Sequence, residues 1–165
     1  VMIIAPEILL ILGGKYYLEA IYVMAPVSMG CICQFLYTMF VNIEQFKKKT
    51  IGMAIASAIA ASVNLLLNWI FIPRYGYLAA AYTTLVGYLC LLCIHMFLVY
   101  RLKLSIVYSY RFVACAFVIA FVAMIIITVS YNNIINHCIA IALYCILALY
   151  LVVKNKSKIK RFIRR

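Results

Sequence analysis

The fold class predicted by this 165-residue sequence is all-α: a polytopic integral membrane helix bundle with about five transmembrane helices and a truncated N-terminal helix. Three observations predict it. Mean hydropathy is +1.15, with 70% hydrophobic and 11% charged residues; a soluble domain is only about 45 to 50% apolar. Apolar runs long enough to cross a hydrocarbon core of about 30 Å recur along the chain. The 15 basic residues gather in the connections between those runs and at the C-terminus, in alternating amounts.

Residues 1 to 19 come first, as the end of a helix and a loop on the extracytoplasmic side. Val1 to Leu12 is interrupted by Pro6 and Glu7 and gives about 18 Å of helix, too short to cross. No initiator methionine and no basic leader with a cleavage site precede it, so the sequence reads as a piece of a longer protein whose first helix is cut. An interfacial helix is the alternative.

The first complete span is Ala20 to Phe46, closed by Lys47, Lys48 and Lys49. Pro26, Gly30, Gln34, Thr38 and Asn42 recur every four residues and form a slowly drifting stripe expected to face protein. Pro26 removes the bond to the Tyr22 carbonyl, so a bend is expected there.

The second span is Thr50 to Ile72, uncharged and about 34 Å long. Thr50, Ala54, Ser57, Ala61, Asn64 and Asn68 fall at alternating steps of four and three, which places them on one face, while Ile51, Ile55, Ile59, Leu66 and Ile70 take the other. In lipid the bulky face meets acyl chains, and the small, polar face packs on a helix or lines a polar cavity. Pro73 and Gly76 are expected to end this helix and turn the chain.

The third span, Leu78 to Tyr100, carries Ala79, Thr83 and Gly87 at four-residue spacing, a second small-residue seam able to pack on the first. His95 near its end is expected to be a hydrogen-bonded interface residue rather than a proton carrier. Ile106 to Ser130 and Ile135 to Val153 make two further spans, nearly uniform in apolarity, as suits the lipid-exposed periphery.

Counting Lys and Arg gives one at Lys15, three at Lys47 to Lys49, one at Arg74, three at Arg101, Lys103 and Arg111, none in the Asn132 turn and seven from Lys154 onward. Putting the rich segments in the cytoplasm leaves thirteen inside and two outside, with the C-terminus inside. The +12 net charge is thereby a matter of membrane orientation, with no nucleic-acid partner implied. The basic tail also suits contact with anionic lipid headgroups.

Catalysis finds no support. There is no aspartate, the three acids Glu7, Glu19 and Glu44 lie near span ends, and no acid–base pair can be assembled from sequence. Phosphate-loop, zinc-protease and nucleophile-elbow motifs are missing, so neither an enzyme nor a cofactor is expected. The seven cysteines have no metal-ligand spacing and read as small, reduced core residues; Cys31 and Cys33, two apart, point to different faces.

The pattern N-x-x-x-N-x-x-x-x-P-x-x-G-x-x-x-A-A-x-T, carried by Asn64, Asn68, Pro73, Gly76, Ala80, Ala81 and Thr83, resembles the late signature of bacterial polysaccharide flippases, in the superfamily of multidrug and toxin extruders and lipid II flippases. The stretch Ala5 to Ala20, A-P-E-I-L-L-I-L-G-G-K-Y-Y-L-E-A, is similar to the lead-in of that family's corresponding helix, so the likeness covers about half the chain. The resemblance implies a partial lobe of a 12- or 14-helix transporter. In it, residues 20–100 are the last three helices of the C-terminal lobe, 101–153 two peripheral helices and 154–165 a cytoplasmic tail. It further implies translocation of undecaprenyl-linked oligosaccharide across the bacterial inner membrane by alternating access, in concert with an N-terminal lobe of the same protein.

The amides and hydroxyls left inside the spans, Gln34, Asn42, Asn64, Asn68 and Thr83, are the candidate substrate-cavity residues; interhelical hydrogen bonding is the competing role. Competing functions are a multidrug exporter of the same superfamily, disfavoured by the scarcity of acids, and a membrane subunit that only binds partners. An integral membrane glycosyltransferase would need acids from elsewhere.

Overall fold

The computed structural model describes residues 2–102, 109–131, 138–146 and 154, and among these it contains helices and turns with no strand. A short helix, α1 (Ala5–Gly13), follows a 3₁₀ turn and is ended by Gly14, whose φ of 68° is open to glycine at little cost. Four helices long and apolar enough to span a membrane come next: α2 (Ile21–Phe46), preceded by a 3₁₀ turn from Lys15, α3 (Thr50–Tyr75), α4 (Tyr77–Arg101) and α5 (Tyr110–Ser130). The protein is therefore an all-α, membrane-embedded helix bundle. Of the fifth expected span, Ile135 to Val153, residues 138–146 are helical and the remainder lies outside the described residues. So do the Asn132 turn, the tail beyond Lys154, and Lys103 to Tyr108, which include the expected start of the fourth span.

The central helix is α4. Its contacts run to α2 on one side and α3 on the other, whereas α2 and α3 touch little, and α5 lies against α2. Leu36, Phe40 and Ile43 of α2, Leu92 and Val99 of α4 and Val113 of α5 make one core, and Ala25, Met29, Cys33, Leu85 and Met124 a second, one level along the bundle. Pro26 is buried and α2 continues through it. α5 buries Val113, Met124, Ile127 and Ser130 and turns most of its other residues outward, the peripheral character its uniform apolarity implies.

α2 ends in a Schellman arrangement: the Lys48 N–H donates to the Gln45 carbonyl at 2.9 Å and the Lys49 N–H to the Glu44 carbonyl at 3.0 Å. Lys48, at φ 56°, holds the left-handed position that glycine usually takes. The loop is consequently only three residues long, and α3 starts at Thr50.

Three expectations are corrected. Pro73 does not end α3, which runs on to Tyr75. The bond it removes, to the Trp69 carbonyl, falls in the last turn, where chain ends are already short of donors. Gly76 (φ 63°) stops the helix, its N–H donating to the Ile72 carbonyl at 2.8 Å. The cysteines are all free, but Cys33 is the buried one; Cys31, Cys93, Cys115, Cys138 and Cys145 face outward, since a thiol is as compatible with lipid as with a core. Third, the stripe of α2 does not face protein throughout: Pro26 and Gly30 are buried, and Gln34, Thr38 and Asn42 are exposed.

Candidate functional site

Two polar constellations lie within the spans, one where α3 meets α4 and one where α2 meets α4. The first is built on the small seam of α4. Ala79, Thr83 and Gly87 are buried against α3, and Gly87 leaves room for Asn64, whose Nδ2 would lie 3.2 Å from a Cβ at position 87. From there Asn64 Nδ2 donates to the Thr83 carbonyl at 3.0 Å, Asn68 Nδ2 donates to Asn64 Oδ1 at 2.8 Å, and the Thr83 hydroxyl donates to Asn68 Oδ1. The Thr83 hydroxyl also lies 3.0 Å from the Ala80 carbonyl. A four-residue spacing puts the two amides one turn apart on one face, and the chain of bonds staples the Pro73 end of α3 to the start of α4.

Of the five sequence-derived candidates, the structure thus brings Asn64, Asn68 and Thr83 together and leaves Gln34 and Asn42 apart from them, exposed on α2. Asn64 also borders a groove of about 260 Å³, with Ser57, Ala61, Thr84 and Tyr88 among its lining. Tyr88 forms its α2-side wall, packed against Gly30 at the distance a Cβ would reach 3.2 Å from its ring.

Only the Asn64 and Asn68 end of the small-polar stripe of α3 joins the seam with α4. Ala56 and Ala60 are the buried residues of α3, and Thr50, Ala54, Ser57 and Ala61 remain exposed one step around the helix. The bulky side is exposed as well, with Ile51 at 77%. α3 thus has three strips: an alanine strip that packs, an isoleucine strip that faces outward and a hydroxyl-bearing strip that joins the groove.

The second constellation was not legible in the sequence. Glu44 and His95 are 51 positions apart, yet His95 Nδ1 lies 2.8 Å from Glu44 Oε1. The two residues are 1% and 2% exposed. Glu44 sits only two residues inside the end of α2 and His95 six residues inside the end of α4, on the face each turns to the other. The His95 ring stacks on Tyr37 at 5.6 Å, and Tyr37 in turn on Tyr88 at 6.4 Å. An acid–base pair therefore does exist, and the expected interface histidine is hydrogen-bonded as anticipated. The sequence shows only one side of it: Tyr37, Phe40 and Glu44 of α2 fall at steps of three and four and share one face, which puts Glu44 on a buried face without naming its partner. The pair is enclosed, and neither residue lines the 260 Å³ groove. No group of three or more metal-ligating side chains occurs among the described residues.

At the far end of the bundle, the Tyr131 hydroxyl donates to the Met2 carbonyl and ties the N-terminal turn to the end of α5. Burial, with a contribution from the Glu7 carboxylate, pushes the Tyr131 phenol up to about 12.

No family model, curated protein or solved structure matches this chain.

Proposed function

We propose that this chain forms part of the wall of a transport pathway in a polysaccharide flippase of the bacterial inner membrane, moving an undecaprenyl-linked oligosaccharide by alternating access. The supporting observation is the exposed hydroxyl-bearing strip of α3. A helix in lipid gains nothing from turning Thr50 and Ser57 toward acyl chains, and its packing on α4 uses Ala56 and Ala60 instead. Along a hydrated pathway the same strip is satisfied by water and by sugar hydroxyls. It runs into the groove at Asn64, Thr84 and Tyr88, where an amide, a hydroxyl and a phenol lie beside small residues that leave space for a ring. The pathway's other wall is supplied by an N-terminal lobe of the same protein, and substrate and surrounding lipids are its partners. The basic ends of α2 and α4 and the C-terminus lie in the cytoplasm. The chain acts as a transporter without catalysis or cofactor.

A multidrug exporter is the second reading. It is favoured by an apolar groove of about 440 Å³ on the opposite side of the α3–α4 pair, where Phe71, Tyr75, Tyr82 and Val86 would suit a hydrophobic compound.

Ser57→Leu and Ala61→Leu separate the possibilities, because both positions are exposed and outside the α3–α4 bonds. In cells carrying the protein in its natural context, the expected result is normal accumulation in the membrane with loss of surface glycan and build-up of its lipid-linked precursor. Unchanged glycan export in the double variant overturns the reading, whereas normal glycan with drug resistance lost in Val86→Trp, which fills the apolar groove and leaves the other groove untouched, selects the exporter.

A further inference from the structure

We propose that the apolar groove of about 440 Å³ between α3 and α4 is a site for one anionic phospholipid, with an acyl chain along the groove and the phosphate paired with Arg74 at its open end. The inference depends on neither reading of transport.

Helical register makes the groove. Leu67, Phe71 and Tyr75 recur every four residues along α3, and Leu78, Tyr82 and Val86 every four along α4, so each triplet keeps to one face and the two faces flank one channel. Phe71, Tyr75, Tyr82 and Val86 are exposed, which leaves the channel open to its surroundings along its length. Both walls begin at the Gly76 turn. Val86 lies nine residues into α4, about 14 Å from its start, so the groove runs from the end of the spans almost to their middle. Its walls are almost wholly carbon, and the hydroxyl of Thr83 at the base is already committed to Asn68 and the Ala80 carbonyl. A polar ligand would find no partner inside it, whereas hydrocarbon loses nothing there.

Arg74 selects the headgroup. It continues the α3 wall, three residues past Phe71 and seven past Leu67 on the same face, at the level where the helix leaves the hydrocarbon. The side chain is exposed, and no carboxylate among the described residues pairs with it. The described acids at this end of the bundle, Glu7 and Glu19, belong to the N-terminal helix and turn, which pack on α2 and touch neither α3 nor α4. Exposed Tyr75 and Tyr77 flank the arginine, as aromatic side chains do at headgroup depth. An apolar helix laid in the groove would leave the guanidinium without a counter-charge, and a free phosphate would leave the groove unfilled. A phospholipid supplies both in one molecule: a phosphate that the guanidinium holds by paired N–H bonds, and a chain that runs inward from it. A zwitterionic headgroup fits less well, because its cation finds no acid beside Arg74.

The full chain in lipid nanodiscs tests this, with phosphatidylglycerol or phosphatidylcholine carrying the same diazirine-labelled acyl chain and the adducts located by peptide sequencing. The expected result is adducts within residues 67–86, about fivefold more from phosphatidylglycerol, the preference that one basic side chain gives near the membrane surface. Arg74→Gln is expected to abolish the preference while adducts from both lipids remain, and Val86→Trp to remove the adducts themselves. Lys15→Gln, which removes the other described cation at this end, is expected to change neither, and soluble glycerol phosphate is expected not to compete. Equal labelling by the two lipids, a preference that survives Arg74→Gln, unchanged labelling in Val86→Trp or competition by glycerol phosphate overturns the proposal. Cross-linking of a second copy of this chain in place of lipid overturns it equally.

Discussion

Asn64 of α3 occupies the space that the missing side chain of Gly87 leaves on α4, and from that position it donates to the Thr83 carbonyl one turn earlier. Close approach of two helices and an interhelical hydrogen bond are one feature here, because a Cβ at position 87 would crowd the amide at 3.2 Å and a larger side chain would displace it from the main-chain oxygen.

Gly87→Leu is therefore expected to push α3 away from α4 and break the Asn64 bond, lowering stability by about 1 to 3 kcal/mol, the usual cost of overpacking. Gly52→Ala makes a control: its added Cβ meets the Leu98 side chain at 3.5 Å, an ordinary contact. Unfolding measured in the same nanodiscs compares them, and equal midpoints for the two variants would show that the seam tolerates separation.

Thr83→Val keeps the shape of the side chain and removes the hydroxyl that donates to Asn68. Interhelical bonds in membranes average about 0.6 kcal/mol, so a loss near that size is expected; Asn68→Ala gives up its bond to Asn64 as well, and the double variant is expected to lose less than the sum of the two single changes because both remove the Asn68–Thr83 bond. A double-mutant cycle measures the coupling. Full additivity would mean that the Asn68–Thr83 contact contributes no energy.

Tyr131 titrates late. Its phenol, raised to about 12 from an unperturbed 10, stays neutral in the folded protein while an unfolded chain already ionises. Its contribution is therefore fully present below pH 10 and is lost as pH rises from 10 through 12. Alkaline absorbance titration should show one tyrosine fewer ionising late in Tyr131→Phe. The same variant should raise hydrogen exchange in residues 2–13, freed from the bond to Met2. Unchanged late ionisation would place the shift on another tyrosine.

Trp69, the chain's one tryptophan, is 77% exposed in the last two turns of α3. With α3 spanning the bilayer, a quencher attached shallow in the acyl chain should reduce its fluorescence more than one near the bilayer centre. The reverse order would place α3 at a different depth.

Cysteines placed at Lys48 and Tyr75, the two ends of the α2–α3 loop and α3, are expected to react with membrane-impermeant reagents from opposite sides, position 48 from the cytoplasm. Labelling of both from one side would rule out α3 as a span, and labelling of position 75 from the cytoplasm would invert the orientation.

By itself the sequence determined the four spans that the described residues contain and most of their described ends, because crossing a bilayer depends on length and lack of charge along one stretch of chain. Lys47 to Lys49, Gly76 and Arg101 mark boundaries that the structure keeps within a residue or two. The small seam at Ala79, Thr83 and Gly87 was legible for a similar reason, since four-residue periodicity alone puts those side chains on one face. The tertiary structure decided what each face meets. A helix with three strips around its circumference, as α3 has, does not specify which strip a neighbour will cover; packing chose Ala56 and Ala60 and left Thr50 and Ser57 exposed. It also decided that Gln34 and Asn42 stand apart from Asn64, because α4 lies between α2 and α3. The pairing of Glu44 with His95 was beyond the reach of any local pattern, since the two residues belong to helices separated by the whole of α3. They meet only because α4 returns past α3 to pack on α2.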